Sequence, residues 1–495
     1  MWLTDMMEIG FGSSMICLAA DFGKRYFEER RQMVVGSIAA VALVASLIDL
    51  LMNWHSVSGV QTEVQPVVSN FSSLYVINEF SVFVILTLFV VGIAVVLYSM
   101  FFLSASDNAG PFFSILLLLI TTIVGVASAG DFLTLFLFWE GMSVSAYGLV
   151  AFCKDSMPLS LEASLKYIFL AGVGSLVALY GISLVYSSVG SIQLSALSML
   201  LSKSSFTGIL ALLFIIFGFG VEAAIFPLQT WLPDVYSAAP VPISAMVSGI
   251  VTEAGVFTLV KIVQPFVAGS SALPSNLLKV NYLQEVQLII AVLAVLTMLV
   301  GNLSGLVETN LKRILAFSSI AQMGYMLSAI STFSVSGLVA VVFNIWNHGL
   351  VKSNFFLLGG LGGKNYEDAE LDKLQGLGQK NRLIGVLFGS SSLAMVGSPP
   401  FGIFWSEILI VESLISASSS VFFLLGAIVV LNIFLSLGYY VKIINRVALT
   451  PPSGGAATSG QEANLQWGLI IPPVVLISLS LITGILPYLL LNRIT

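Results

Sequence analysis

The chain has 495 residues, of which 57% are hydrophobic and only 9% charged, with a mean hydropathy of +1.01 and a formal net charge of −6. Soluble globular proteins carry about 25% charged residues, so this composition excludes a soluble enzyme or a nucleic-acid-binding protein and implies a chain lying mostly in lipid. Two cysteines, Cys17 and Cys153, are too few for an iron–sulfur cluster or a disulfide framework, and two histidines, His55 and His348, exclude a histidine-rich metal site.

Apolar runs of ~20 residues, the length that crosses a bilayer as a helix, recur from end to end. They predict an all-α integral membrane protein of about fourteen spans, with cores at 6–20, 34–53, 80–103, 111–128, 131–152, 163–188, 208–226, 243–267, 284–306, 313–331, 337–360, 383–415, 421–444 and 467–490. The first run reads as a retained short helix, because no small-residue cleavage site follows it. Linkers are short and polar, and the longest, around "TPPSGGAATSGQEANLQ", is expected to be a loop before the last span.

With the first terminus outside, the inward loops carry thirteen Lys and Arg residues and the outward side only Lys203, Lys279 and Arg493. This positive-inside bias predicts both termini outside the cell (inner) membrane. The three remaining basic residues, Lys166, Lys261 and Lys352, fall within spans, as do Glu140, Glu222, Glu253 and Glu407. An ionisable group in hydrocarbon costs several kcal/mol unless it is paired or hydrated, so these residues form the functional shortlist.

In chain order, Glu140 sits in "LFLFWEGMSVSAYGL", either as packing glue or as part of an ion path. Glu162 and Lys166, four apart, read either as a structural pair at the membrane edge or as part of the path. Glu222 and Pro227 are expected on one helix, broken by the proline, with a carbonyl released near Ala223. Glu253 has Lys261 two turns on, and His348 and Lys352 share a helix face in "NHGLVKSNF". A histidine beside a lysine suits proton relay, since its ordinary pKa of ~6.5 lies nearest physiological pH. A second break is expected at Pro399 and Pro400, just before Glu407. Paired breaks in distant spans point to a repeat-built transporter. Lys312 and Arg313 are read as setting topology only.

The stretches "FPLQTWLPDVYSAAPVPISAMVSGIVTEAG", "LKRILAFSSIAQMGYML", "NHGLVKSNFFLLGG" and "ELDKLQGLG" resemble the antiporter-like membrane subunits of respiratory complex I, membrane-bound hydrogenases and multi-subunit sodium/proton antiporters. The resemblance covers roughly residues 75 to 445, and "LEASLKYIFLAGVGSLVALYGISLVY" is most similar to the N-type subunit. It implies two inverted five-helix repeats, at 111–267 and 284–446, each with a broken helix. A three-helix segment, 1–110, precedes them and a last helix, 467–495, follows. It also implies that Glu140 is the family's span-5 glutamate and that His348 and Lys352 are the central relay.

Three positions depart from the family pattern. Glu222 and Glu253 stand where relatives usually have lysine, and Gln229 where they often have histidine. Glu140 would then face Glu222, and two close carboxylates cannot both ionise cheaply; Lys166 is expected to supply the missing positive partner. Either the relay runs on carboxylates, or pumping is altered.

The reading is a proton-conducting membrane subunit whose path runs through Glu140, Lys166, Glu222, Glu253, His348, Lys352 and Glu407. It has no cofactor of its own. Its expected partners are other antiporter-like and small membrane subunits, lipid, and a peripheral redox arm with flavin, iron–sulfur or hydrogenase-like subunits. The alternatives are a sodium/proton antiporter subunit, a non-pumping structural subunit and a solute transporter.

Overall fold

A computed structural model describes residues 2–22, 31–57, 74–103, 108–153, 158–201, 206–272, 281–362, 370–451 and 466–494. Lys24, Arg25, Arg30, Lys154 and Lys364 of the inward set, and Lys203 and Lys279 of the outward set, lie outside the described residues. The described residues are mostly helical. Their only β features are the isolated bridges Tyr75–Ala129, Asp131–Gln193 and Asn310–Glu370.

The chain begins with α1 (Trp2–Phe22), α2 (Arg31–Val57), α3 (Glu79–Phe102), α4 (Ala109–Ser128), α5 (Phe132–Val150) and α6 (Leu159–Val189). A broken element follows: α7 (Phe206–Gly220), then ten non-helical residues, then α8 (Trp231–Ala238). Next come α9 (Val241–Met246), a π-type turn over Val247–Val251, and α10 (Thr252–Ala272). The second half holds α11 (Asn281–Val307), α12 (Leu311–Ile330), α13 (Val335–Gly359), α14 (Leu377–Lys380), α15 (Arg382–Met395), α16 (Gly402–Ser416) and α17 (Ser420–Ile443). The chain closes with α18 (Trp467–Ile485) and α19 (Tyr488–Ile494).

Nine helical segments among the described residues are long and apolar enough to cross a membrane. Helix α13 is buried along most of its length and is polar there. On α13, Asn344, Asn347, His348, Lys352 and Asn354 are all fully buried. They spend their polarity on neighbouring helices instead of meeting lipid.

The two spans expected to be broken, at 208–226 and 383–415, are interrupted, over residues 221–230 and 396–401. In the first, Val221 O accepts from Ala224 N at 2.9 Å and from Trp231 Nε1 at 3.0 Å, so the side-chain-capped carbonyl is Val221, two residues before the one expected. Phe226 N donates to Thr297 Oγ1 of α11 at 3.1 Å. In the second, residues 396–401 leave the helix. Gly397 turns there with φ +72°, and a Cβ on it would stand 2.0 Å from Glu407 Oε2. Only glycine provides both the left-handed backbone and the space. Asn347 Nδ2 donates to Ser406 Oγ at 3.0 Å and Thr483 Oγ1 donates to Asn347 Oδ1 at 2.9 Å, tying α13, α16 and α18 together beside this break.

Helices α11 and α12 touch backbone to backbone through small residues, the usual basis of packing where lipid supplies no hydrophobic drive. A Cβ on Gly301 would lie 2.5 Å from Ala321 N, and one on Gly324 would lie 2.6 Å from Met298 N. Gly324→Leu is therefore expected to force the pair apart at a cost of at least about 1–3 kcal/mol. A lower thermal midpoint in detergent checks this; an unchanged midpoint would show that the contact is slack.

Candidate ion path

Glu222 is fully buried and lies just past the end of α7, within the break, instead of on a helix shared with Pro227. Ser143 Oγ of α5 donates to its Oε1 at 2.8 Å, and Tyr167 OH of α6 donates to its Oε2 at 2.6 Å. Glu140, one turn before Ser143 on α5, lies within electrostatic reach of Glu222. Its Oε1 is buried without a hydrogen-bond partner among the described residues. The two carboxylates therefore come together as the sequence implies.

Lys166 does not join them. Its side chain is 48% exposed and its amine bonds Glu162 at 2.9 Å and Asp234 of α8 at 2.9 Å. The expectation that it is a buried path residue and the positive partner of Glu140 and Glu222 is thus corrected. The reason is helical phase. The buried face of α6 runs Ser160, Ala163, Ser164, Tyr167, Ala171, Gly174, Ser175, Ala178, Gly181 and Val185. Tyr167 sits on this small-residue stripe, and Lys166, about 100° round the helix, sits off it.

The second cluster is Glu253, His348 and Lys352. Glu253 lies at the start of α10, directly after the π-type turn, a distortion frequent at functional sites. Its Oε1 pairs with His348 Nδ1 of α13. Glu253 Oε2 and His348 Nε2 are buried without a hydrogen-bond partner among the described residues. Lys352, one turn beyond His348, donates to Leu315 O at 2.7 Å and to Ser318 Oγ, both on α12. All three groups are buried and interact electrostatically. Lys261, two turns along α10, does not extend this cluster, because its amine donates to Ala127 O at the end of α4, at 2.7 Å.

The third group is Glu407, 7% exposed on α16. Gln322 Nε2 of α12 donates to its Oε1 at 3.2 Å, and Asn344 Nδ2 of α13 donates to Gln322 Oε1, also at 3.2 Å.

Two buried tyrosines lie within electrostatic reach of these clusters. Tyr236 on α8 is fully buried and within electrostatic reach of both Glu222 and Glu253. Tyr440 on α17 lies against Ser318 and within electrostatic reach of Glu407. Sequence reasoning missed Tyr167, Tyr236, Ser318, Gln322 and Tyr440, because it searched for charged groups. Only the stripe on α6 carried a readable signal, and only for Tyr167.

Lys312 and Arg313 do more than set topology. Lys312 is 4% exposed, and its Nζ donates to Ser237 O at 3.1 Å and Ala239 O at 3.0 Å, capping the C-terminal end of α8. Arg313 bonds Asp234 of α8 at 3.0 Å and Glu308 at 2.9 Å.

Against this geometry, residues 129–434 match the family described as NADH:quinone oxidoreductase/Mrp antiporter, TM. The chain belongs to that family. It is an antiporter-like membrane subunit of the N type. Subunit N of the NADH-quinone oxidoreductase of Trichlorobacter lovleyi is 30% identical over 436 residues, covering 86% of this chain and 84% of that protein. A chain of the archaeal membrane-bound sulfane sulfur reductase, a respiratory membrane complex, superposes with a TM-score of 0.83 at 26% identity, over 99% of this chain and 96% of the other. A chain of the Mrp complex of Dietzia sp. shares the fold, with a TM-score of 0.82 at 21% identity, over 99% and 96% of the two chains.

Glu308, in the loop between α11 and α12, gives this subunit a pH-sensitive contact. Partial burial alone would raise its pKa, but the Arg313 guanidinium and the backbone N–H groups of Thr309 and Asn310 together hold it below the ordinary carboxylate value. A depressed folded pKa contributes stability above the unfolded value of ~4.3, and that contribution is lost as pH falls through the folded value. Glu308→Gln is therefore expected to lower the thermal midpoint at neutral pH by an amount equivalent to about 1 kcal/mol or less. The gap should close on acidification below about pH 4; a gap independent of pH would count against the ion pair as its source.

Proposed function

We propose that this chain is a proton-translocating subunit of a redox-driven membrane complex. Its fourteen crossings would form two inverted five-helix repeats, at 111–267 and 284–446, between the segment 1–110 and the helix at 467–495. Both termini would lie outside the inner membrane. The observation that carries this reading is the fully buried Glu253–His348–Lys352 cluster, in which one carboxylate oxygen and one ring nitrogen have no protein partner among the described residues. Such groups in a membrane interior are retained for ion movement far more often than for stability.

A proton taken up from the inner side reaches the Glu140–Glu222 pair, where one shared proton relieves the repulsion of two carboxylates. It passes by Tyr236 to Glu253 and His348, rests on the His348–Lys352 pair, and leaves by Ser318 and Tyr440 towards Glu407. Tyrosine and serine hydroxyls both donate and accept, so they can hand a proton on without holding charge. Electron transfer supplies the energy in a peripheral arm of other subunits. The relatedness to NADH-quinone oxidoreductase subunits and to an archaeal respiratory complex supports this assignment. Sequencing the subunits that co-purify with the chain identifies the arm; partners without any redox cofactor motif would favour a sodium/proton antiporter complex instead.

Lys352→Ala is expected to abolish most proton movement by an assembled complex, read with a pH-sensitive dye in inverted vesicles. Normal proton yield in that variant would remove Lys352 from the path. Glu222→Gln, which keeps the shape but cannot exchange a proton, is expected to reduce the yield strongly, whereas Glu222→Lys should retain part of it through an ion pair with Glu140. A parent-like yield in Glu222→Gln would show that the carboxyl at this position is idle.

A further inference from the structure

The eight residues of α8 are too few to hold a helix in place by propensity alone. The preceding ten residues are not helical, so α7 does not hold α8 rigidly either. The position of α8 is therefore set by side chains. On its buried side, Trp231 stacks on Tyr167 with ring centroids 4.2 Å apart, and the Tyr236 hydroxyl lies 3.5 Å from Thr252 Oγ1, the residue next to Glu253 in the chain, within electrostatic reach of Glu222 and Glu253. On its other side, Asp234 binds a cation from each half of the chain: Lys166 of α6 at 2.9 Å and Arg313 of α12 at 3.0 Å. Lys312 closes the helix end through the carbonyls of Ser237 and Ala239.

These groups surround a cavity of about 290 Å³, lined by Glu162, Lys166, Asp234, Ser237, Asn310 and Arg313 among others. Tyr236 follows Asp234 by a step of two residues, which turns their side chains about 200° apart on the helix. The same short helix thus carries a carboxylate of the cavity on one face and the buried Tyr236 on the other.

We propose that Asp234 is a positioning residue. Its paired ion bridges to Lys166 and Arg313 latch α8 to both halves of the chain, and thereby hold Tyr236 in register between Glu222 and Glu253. Each bridge is a third to a half exposed. Such pairs are individually weak, about 0–1 kcal/mol, so the latch can exchange one cation for the other or release both without unfolding its surroundings. Glu162 and Glu308 compete for the same two cations, Glu162 for Lys166 and Glu308 for Arg313. This inference rests on the proton-path reading above.

The test uses the complete complex in inverted vesicles and reads protons moved per electron transferred, with NADH, reduced ferredoxin or hydrogen as donor, whichever drives electron flow. Asp234→Asn is expected to lower that ratio several-fold, and Asp234→Glu to restore most of it. Lys166→Gln and Arg313→Gln should each retain most of the ratio, because the other cation holds the latch, while the double variant should fall to the level of Asp234→Asn. This non-additivity is the signature of one shared carboxylate. A parent-like ratio in Asp234→Asn overturns the proposal. If Asp234→Asn fails to assemble, the double variant decides, and a merely additive loss there overturns it. Glu222→Gln run in parallel separates the two readings: if it stops proton movement while Asp234→Asn does not, only the latch is wrong.

Discussion

A helix cut within a membrane exposes backbone groups that hydrocarbon cannot satisfy, and the rest of this structure is arranged around that constraint. At the first break, Trp231 and Thr297 take up Val221 O and Phe226 N. Beside the second, Asn347, Ser406 and Thr483 bind one another, and Trp405 Nε1 reaches Gly484 O at 2.8 Å. The first break is thus closed in part by a side chain of α11, whereas the second closes on its own turn, where Ser398 N and Oγ both donate to Leu393 O. The buried carboxyl groups Glu222 and Glu407 sit at these two places, where polar partners already gather.

The same economy governs the buried charges. Glu222 is held by two hydroxyls, Lys352 by a carbonyl and a hydroxyl, Glu407 by an amide. Among these groups only Glu253 meets an ionisable base directly, in His348. Neutral hydroxyl and amide partners solvate a charge without cancelling it, which keeps each site able to gain or lose a proton; full ion pairing would fix its state. Full ion pairs are instead found in the polar network around Asp234, Glu308 and Arg313, where partial exposure keeps them weak and exchangeable.

Much of this was determined by the sequence alone. Long apolar runs dictate membrane helices, because a helix satisfies its own backbone within one continuous segment in lipid. Prolines at 227 and 399–400 mark the two breaks only approximately: α7 stops seven residues before Pro227 and α15 four before Pro399, and Pro265, Pro472 and Pro473 lie inside helices. The cost of charge in hydrocarbon singled out Glu222, Glu253, His348, Lys352 and Glu407, all of which are buried.

Partnership was decided only by the tertiary structure. Lys166 is one residue from the buried face of α6, and a rotation of about 100° sends it to Asp234 and gives Glu222 a tyrosine in its stead. Lys261 ends on a carbonyl of α4, and Lys312 on carbonyls of α8, helices far from each in the chain. Hydropathy and charge count say which groups must find a partner in the membrane. Which partner each one finds depends on the phase and crossing of helices tens to hundreds of residues apart, and no local pattern in the chain encodes that.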